Sequence, residues 1–368
     1  MAKIVILGLT ITSSWGNGHA TTYRALVKAL SERGHDILFL EREAPWYRAH
    51  RDLKAIPFAD IALYHGLEDL ARRFERQIKE ADAVVVGSFV PDGIEVGHWA
   101  ISTAAGPVAF YDIDTPVTLA ALERGDCAYL TTDLVSRYDL YLSFTGGPVL
   151  DLLHDLGSPR AAALYCSVDP ELHRPVNTKR RWEMGYLGTY SPDRQKGVDA
   201  LLLAVARKTP DKYFVVAGAQ YPESVVWTEN VQRIPHLPPA DHPEFYCAQK
   251  YTLNVTRDDM RALGFSPSVR LFEAAACGVP IISDSWPGLD TIFTPTREIL
   301  IAESTEDVLR ILRGTTPAKR KAIAAAARAR VLAEHTAAHR AQELEALLDI
   351  GARHTHSNRL QRRALVTS

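Results

Sequence analysis

Short apolar segments alternate with helical patterns along almost the whole chain. In the first half the predicted strands are residues 4–9, 37–40, 83–86, 108–111, 140–144 and 163–166. In the second half they are residues 184–187, 214–217, 231–234, 253–255, 281–283 and 299–301. Strands that alternate with helices predict a parallel sheet covered by helices on both faces. The segment between the two series contains prolines and no periodicity, which is typical of a domain boundary. We therefore expect an α/β protein with two successive Rossmann-like domains.

The composition is that of a globular protein. The 368 residues are enough for two domains, and 46% apolar with 23% charged residues is ordinary for a soluble chain. The net charge of −2 gives no argument for nucleic acid binding. The four cysteines are widely spaced and do not have the spacing of a structural zinc site. Without a signal-peptide pattern or an apolar run of about 18 residues, we expect a cytoplasmic protein with no transmembrane segment.

Residues 265–284 read as a loop, a capped helix, a Gly-Val-Pro break and a buried strand. Ser266 is a good N-cap, and Pro267 suits the first helical position. The amides of Ser268 and Val269 would then point out of the helix end, where the helix dipole also favours an anion. The segment therefore predicts an anion site at a helix N-terminus.

Two charged residues occur on this otherwise apolar helix. Ser266, Arg270 and Glu273 have the spacing i, i+4, i+7 and would share one face. One alternative is an exposed Arg–Glu pair, but the helix has little surface left for water, and buried charges need partners. We expect phosphate oxygens to bind Arg270 and the helix amides, and a ribose hydroxyl to bind Glu273. These are the groups of a nucleotide-sugar donor.

The same segment carries a family resemblance. The pattern Phe-Glu-Ala-x-Ala-Cys-Gly-x-Pro-Ile-Ile-Ser-Asp at residues 272–284 resembles the donor signature of GT-B glycosyltransferases. More narrowly, Ser-x-Arg-x-Phe-Glu at 268–273, followed by Ser-Asp-x-Trp-x-Gly-Leu at 283–289, resembles the CgeB-like family (spore maturation protein CgeB). The resemblance covers about residues 187–345.

The resemblance implies a GT-B fold, in which two Rossmann-like domains face each other across a cleft. The implied parts are an acceptor domain at 1–168, a donor domain at 169–335 and a C-terminal helix at 336–350 that crosses back to the first domain. A basic tail at 351–368 is expected to be flexible, with peripheral membrane contact as a lesser alternative.

The chain departs from the broader retaining GT-B group at one position. The pattern of that group is Glu-x7-Glu, and its second Glu, which binds ribose, falls on Glu273. Its first Glu, which contacts the donor sugar, would fall on Phe265. The departure leaves the nucleotide site intact, while the sugar contact and the retaining stereochemistry stay open.

Other residues of the second domain are expected to complete the donor site. Gly188 permits a tight turn after a strand, and the loop that follows brings Arg194 and Lys196 to the strand end, where cations would neutralise a leaving diphosphate. GT-B relatives carry Arg or Lys in this loop. Three further positions follow predicted strands and would meet the nucleotide or sugar: His236, Leu237 and Arg257.

The first domain would supply the acceptor site. Gly16 and Gly18 lie in a loop between a strand and a helix, where they could bind a phosphate or let a sugar approach the backbone. His19 opens the helix and could act as a base, although a lone His is more often structural. Asp112 and Asp114 follow another strand and could bind acceptor hydroxyls, and Asp114 could assist deprotonation.

Four alternatives compete with this interpretation. Gly16-x-Gly18 with Glu41 imitates the dinucleotide fingerprint of an oxidoreductase, but these glycines lie well beyond the strand end. Asp112-x-Asp114 imitates the metal-binding motif of the other large glycosyltransferase class, which has one nucleotide-binding domain. A nucleotide-sugar epimerase or a non-catalytic nucleotide-binding subunit would share the GT-B fold.

The sequence thus predicts a metal-independent GT-B glycosyltransferase of the hexosyltransferase type. The donor would be a nucleoside-diphosphate sugar, with a UDP-sugar expected, and no further cofactor or metal. The acceptor is a small molecule, a glycan or a protein that the sequence does not identify. The residues expected to carry catalysis are His19, Asp114, Arg194 and Arg270.

Overall fold

A computed structural model describes residues 1–53 and 56–350. The chain divides into two compact units. Among the described residues, the first comprises 1–13, 19–165 and 337–350, and the second comprises 14–18 and 166–336. The short loop 14–18, which the sequence assigned to the first domain, is thus part of the second unit. The predicted basic tail lies outside the described residues.

The first unit contains one parallel β-sheet. Its strands are β1 (Lys3–Gly8), β2 (Asp36–Arg42), β3 (Asp60–Tyr64), β4 (Ala83–Gly87), β5 (Val108–Asp112), β6 (Leu140–Ser143) and β7 (Ala161–Ala163). The order across the sheet is β3-β2-β1-β4-β5-β6-β7. Strand β3 was not predicted, and β7 ends where the sequence placed the start of a strand at 163–166.

Helices separate these strands in the chain. They are α1 (His19–Glu32), α2 (Pro45–Arg48), α3 (Leu67–Glu80), α4 (Gly93–Thr103), α5 (Thr115–Arg124), α6 (Thr132–Arg137) and α7 (Val149–Asp155). Helix α3 shows why they form, because it buries Leu70, Phe74 and Ile78, which recur on one helical face, and leaves its charged residues outside. The predicted helices at 21–33 and 67–79 correspond to α1 and α3.

The second unit repeats this architecture. Its strands are β8 (Trp182–Leu187), β9 (Phe214–Ala217), β10 (Val231–Ile234), β11 (Gln249–Asn254), β12 (Ile281–Ser283) and β13 (Leu300–Ile301). They form a second parallel sheet in the order β10-β9-β8-β11-β12-β13. Both strand orders reverse direction once, between β1 and β4 and between β8 and β11. Ligands of such sheets bind outside the carboxyl ends of the strands at this switch point.

The helices of the second unit cover its sheet. They are α8 (Pro192–Val198), α9 (Ala204–Lys208), α10 (His242–Cys247), α11 (Asp258–Leu263), α12 (Val269–Ala276), α13 (Leu289–Ile292), α14 (Thr305–Gly314) and α15 (Pro317–Glu334). A π-helical segment, Asp199–Leu203, joins α8 to α9, and a 3-10 turn, Pro239–Asp241, precedes α10.

The long helical stretch predicted at 317–348 is two helices. Helix α15 ends at Glu334, and His335 leaves the helical conformation with φ −130° and ψ 26°. The last helix, α16 (Ala337–Leu347), belongs to the first unit and packs against α1. Its Glu345 accepts hydrogen bonds from Arg33 (2.5 Å) and His35 (2.7 Å). The chain therefore returns to the first unit, as expected for a crossing helix.

None of the helices in the described part of the chain has the length and apolar character that crossing a membrane requires.

Candidate functional site

Asn254 organises the switch point of the second sheet. It is the last residue of β11 and is buried. Its Oδ1 accepts from Ser268 Oγ (2.9 Å) and from Arg270 Nη1 (2.7 Å), while its Nδ2 donates to Ser283 Oγ at the end of β12 (3.0 Å). One amide side chain therefore joins the ends of two strands to the start of helix α12.

Helix α12 starts later than the sequence predicted. Ser268, not Ser266, is the N-cap, and Val269 is the first helical residue. Ser268 has the extended conformation of a cap residue, with φ −79° and ψ 149°. Pro267 therefore lies outside the helix and not at its first position. The amides at the open helix end are therefore those of Val269 and Arg270 rather than Ser268 and Val269.

Arg270 is fixed at this switch point. It is 6% exposed, and its guanidinium lies 4.6 Å from the centre of the Tyr186 ring. Its Nε donates to the carbonyl of Leu187, the last residue of β8. Its Nη2 makes no hydrogen bond among the described residues and lies 2.8 Å from where a Cβ on Gly188 would stand. Any side chain at 188 would displace Arg270, which explains the glycine.

Arg194 reaches the same edge from helix α8. Its Nη2 donates to the carbonyl of Thr189 (2.8 Å), and its buried Nε has no partner among the described residues. Lys196 is exposed on the same helix. Of the two predicted cations, Arg194 is therefore the one held in a defined position.

A third arginine, Arg233, was not predicted. It lies near the end of β10, with its guanidinium 4.2 Å from the centre of the Tyr221 ring and 4.3 Å from that of Trp227. Its Nη2 donates to the carbonyl of Gly218 (3.1 Å).

Three positively charged side chains act on Tyr221. Burial raises the pKa of this phenol, whereas Arg233, Arg194 and Arg270 all act to lower it. The Arg233 guanidinium lies against the Tyr221 ring, and Arg270 adjoins Gly188, whose carbonyl accepts from the Tyr221 hydroxyl.

None of the three arginines forms an ion pair with a carboxylate among the described residues. By contrast, Arg257 lies 3.4 Å from the Asp193 carboxylate. Desolvated charges need partners, so the three arginines leave a site for an external anion.

The loop 14–18 approaches the same end of the second unit. A Cβ on Gly18 would lie 3.9 Å from Val269 Cγ1, and one on Gly16 would lie 3.4 Å from Gln220 Nε2. Gly18 therefore lies beside the first residue of α12, and Gly16 lies beside Gln220. The loop that contains His236 and Leu237 follows β10, and the carbonyl of Leu237 accepts from His242 Nε2 (3.3 Å).

Glu273 is buried and lies about one turn after Arg270 in α12. Its side chain is 3% exposed, and Oε2 accepts from the hydroxyl of Tyr246 (2.9 Å). His173 Nε2 lies 3.4 Å from Oε1, and His242 Nδ1 lies 3.3 Å from Oε2. Burial alone would raise the pKa of Glu273, but the two histidines and Tyr246 outweigh it and hold the pKa at about 2. Its ribose contact stays a prediction.

Comparisons with known proteins agree with this geometry. Residues 194–346 match the family model described as "Glycosyl transferase-like", and no curated protein matches the chain in sequence. Sucrose-phosphate synthase from Thermosynechococcus elongatus is 14% identical over 100% of both chains, with a TM-score of 0.66. Anabaena Alr3699/HepE in complex with UDP-glucose is 13% identical over 95% of this chain and 100% of that chain, with a TM-score of 0.70.

A third structure, an α-glucosyltransferase in complex with UDP-glucose and DNA containing an abasic site, is 12% identical. The match covers 95% of this chain and 99% of that chain, with a TM-score of 0.71. The fold is GT-B. The family model and the fold together support a glycosyltransferase.

In the first unit of this GT-B chain, the acid of the dinucleotide fingerprint is not available to a ribose. Glu41, the acid that the fingerprint would aim at a ribose, is fully buried. Its carboxylate accepts from the amides of Ile11 (2.8 Å) and Thr12 (2.9 Å) and from the Thr12 hydroxyl (2.6 Å). Glu41 thus holds the loop after β1, and the oxidoreductase alternative loses its key residue.

Asp112 and Asp114 have different environments. Asp112 is fully buried and accepts from Tyr141 (2.5 Å) and Thr118 (2.8 Å). Burial raises its pKa to about 6 despite these hydrogen bonds. Asp114 is only partly buried, at the N-terminus of α5. Of the two, Asp114 is the carboxylate that an acceptor could reach without rearrangement.

Phe265 occupies the position where the retaining GT-B group has its first Glu. It has φ +48°, and its amide donates to the carbonyl of Pro287 (2.6 Å). Gly288 has φ +85°, and a Cβ there would collide with the Phe265 ring. The loop before α12 is thus packed against residues 287–288, which links the two motifs that carry the family resemblance.

Gly288→Ala should destabilise the second unit more than Gly278→Ala. Gly278 has a similar φ of +70°, but a Cβ there would lie 3.6 Å from its nearest neighbour. Left-handed backbone should cost Gly278→Ala about 1–2 kcal/mol. Gly288→Ala should cost about 1–3 kcal/mol more, because its methyl group meets a ring. Urea denaturation measures both, and equal losses would show that the Phe265 packing is not tight.

His19 should make the stability of the first unit pH-dependent. Burial lowers its pKa from 6.5 to about 4. Between these values the unfolded chain binds a proton that the folded chain does not, so stability falls as the pH falls from about 6.5 to about 4. At pH 4.5 the cost is about 3 kcal/mol, at about 1.4 kcal/mol per pKa unit.

The control is His19→Gln, which cannot bind that proton. Denaturation at pH 7 and 4.5 should show a larger loss in the wild type than in the variant. The same loss in both proteins would mean that His19 titrates normally and is accessible to water.

Proposed function

We propose that the protein is a hexosyltransferase of the CgeB-like group that uses a UDP-sugar and requires no added divalent cation. One observation carries the proposal: Arg270, Arg194 and Arg233 all act on Tyr221, whose hydroxyl donates to the carbonyl of Gly188 after β8. None of the three arginines forms an ion pair with a carboxylate among the described residues. The GT-B structures that it resembles include two described in complex with UDP-glucose. A cytoplasmic location stays a prediction.

The arginines suit a diphosphate that leaves as an anion. As the bond between the sugar carbon and the β-phosphate oxygen breaks, negative charge grows on the diphosphate. Arg270 would present its free Nη2, Arg194 its unpartnered Nε, and the start of α12 the amides of Val269 and Arg270. Fixed donors of this kind stabilise charge that develops in a transition state. They take the place that a divalent ion has in other glycosyltransferases.

On the acceptor side, the two candidate catalytic residues have different environments. His19 is neutral at pH 7 with a pKa of about 4, which makes it a poor general base. Asp114 is the better candidate for activating an acceptor hydroxyl, since it is partly exposed at a helix start. Lys196, His236, Leu237 and Arg257 remain proposed contacts of the nucleotide or sugar.

Arg270→Ala should lower the kcat/KM for release of UDP from UDP-glucose about 100- to 1000-fold, the usual loss when a transition-state donor is removed. Arg270→Lys should fall between this variant and the wild type, because it keeps the charge but loses the planar fork. The control is Arg310→Ala, whose exposed side chain pairs only with Asp307 on its own helix. Full activity of Arg270→Ala would place the diphosphate elsewhere.

Calorimetry with UDP and with inorganic pyrophosphate, both without divalent ions, separates the contacts. Arg270→Ala should weaken the binding of both ligands. If Glu273 binds ribose, Glu273→Gln should weaken the binding of UDP but not of pyrophosphate. Tight UDP binding without turnover on any UDP-sugar would favour a non-catalytic subunit. Binding that appears only with Mg²⁺ or Mn²⁺ would refute metal-independent donor binding.

A further inference from the structure

Three side chains that could bind a metal meet beneath helix α12. His173 comes from the segment between β7 and β8, His242 begins α10, and Glu273 lies in α12. Their nearest ring nitrogen and carboxylate atoms all lie within 4.8 Å of one another. All three residues are buried, His173 at 1% exposure. The two histidines are not among the contacts that we propose for the nucleotide-sugar.

Hydrogen bonding does not satisfy this cluster. His242 Nε2 faces the carbonyl of Leu237, which can only accept, so Nε2 carries the proton. In the neutral ring, Nδ1 then directs a lone pair at Glu273 Oε2, 3.3 Å away. Two acceptors face each other, and only a proton or a cation can lie between them.

His173 adds a second unsatisfied ligand. Neither of its ring nitrogens has a hydrogen-bond partner among the described residues, and Nε2 lies 3.4 Å from Glu273 Oε1. Charge-assisted hydrogen bonds between nitrogen and oxygen measure about 2.7–2.9 Å. Both His–Glu contacts are longer than that, which leaves space for a shared cation.

We propose that His173, His242 and Glu273 bind one divalent transition-metal ion, with Zn²⁺ preferred. Two imidazole nitrogens and one carboxylate form a common zinc ligand set, whereas Mg²⁺ and Ca²⁺ favour all-oxygen sites. The surroundings match as well, because ligand histidines usually donate their other N–H to a carbonyl, and ligand carboxylates are themselves hydrogen-bonded. Leu237 and Tyr246 fill these two roles.

The three side chains would leave a fourth coordination position for water, and the role of the ion would be to hold parts of the second unit together. It would join the segment before β8, the start of α10 and the donor helix α12, and so fix the helix whose first turn carries Arg270. It would not touch the diphosphate, so it is independent of any requirement for added Mg²⁺. A metal ligand role also competes with the ribose contact predicted for Glu273, because both use the same two oxygens.

The test is the metal content of the full-length protein, purified from zinc-supplemented medium and desalted. Elemental analysis should find about one zinc ion per chain in the wild type. His173→Ala and His242→Ala should each lose at least about nine-tenths of it. His65→Ala, which removes an exposed histidine, should keep it. Removal of the ion with dipicolinate should lower the Tm, and added Zn²⁺ should restore it.

Wild-type protein without metal, whose calorimetric titration with Zn²⁺ also shows no binding, would overturn the proposal. This arm does not depend on the folding of any variant. Bound metal that survives in both histidine variants would equally overturn it, since the ion would then lie elsewhere. A third result would also overturn it: the metal-free wild type binds UDP, and Glu273→Gln weakens the binding of UDP but not of pyrophosphate. Glu273 would then bind ribose, and protons on the histidines, not a metal ion, would lie between them and Glu273.

Discussion

The uncompensated charge of Arg270 is the constraint on which the candidate donor site depends. A buried guanidinium is costly unless its donors are satisfied. Here a strand carbonyl, the Asn254 amide oxygen and the face of Tyr186 hold it, and all three are neutral. These neutral groups fix the Arg270 side chain without cancelling its positive charge. A carboxylate in place of Asn254 would pair with Arg270 and weaken its attraction for a diphosphate. Because Asn254 is neutral, the charge of Arg270 can act on the ligand.

The sequence predicted most of the fold because parallel strands buried on both faces are continuous apolar runs. It missed β3, whose apolar run is only four residues long. In this edge strand Asp60 is exposed and residues 61–63 are half-buried, so the strand differs from the fully buried strands at the centre of the sheet. The start of α12 was misplaced because local cap preferences favoured Ser266. Tertiary contacts decided otherwise: the left-handed Phe265 is bonded to Pro287, and Ser268 is bonded to Asn254.

The candidate site was predictable where its residues are close in sequence. Arg270 and Glu273 stood out as charges on an apolar helix, and the structure buries both. The alternative of an exposed Arg–Glu pair is wrong, since Arg270 faces the strand ends and Glu273 faces two histidines. Arg233, His173 and His242 could not be assigned in this way. Arg233 joins the site through the strand order, His242 through the packing of α10, and His173 through the segment before β8. No local pattern encodes these placements.

The switch points of the two Rossmann-like units differ in the side chain that packs against the glycines at the strand ends. In the first unit, Tyr23 of α1 packs against Gly8 and Gly87 at the ends of β1 and β4. A Cβ on Gly8 would lie 3.0 Å from its ring, and one on Gly87 would collide with its hydroxyl. An aromatic ring thus fills the place where a nucleotide would enter.

In the second unit, the glycine after β8 makes room for a guanidinium instead of a ring. Gly188 adjoins Arg270, and the carbonyl of Gly188 accepts from the Tyr221 hydroxyl (3.3 Å). One topology therefore gives a closed apolar switch point in one unit and a cationic one in the other. The choice depends on which side chain the neighbouring helix places against the glycines. This difference, more than the shared fold, is the reason that we propose the second unit as the one that binds the donor.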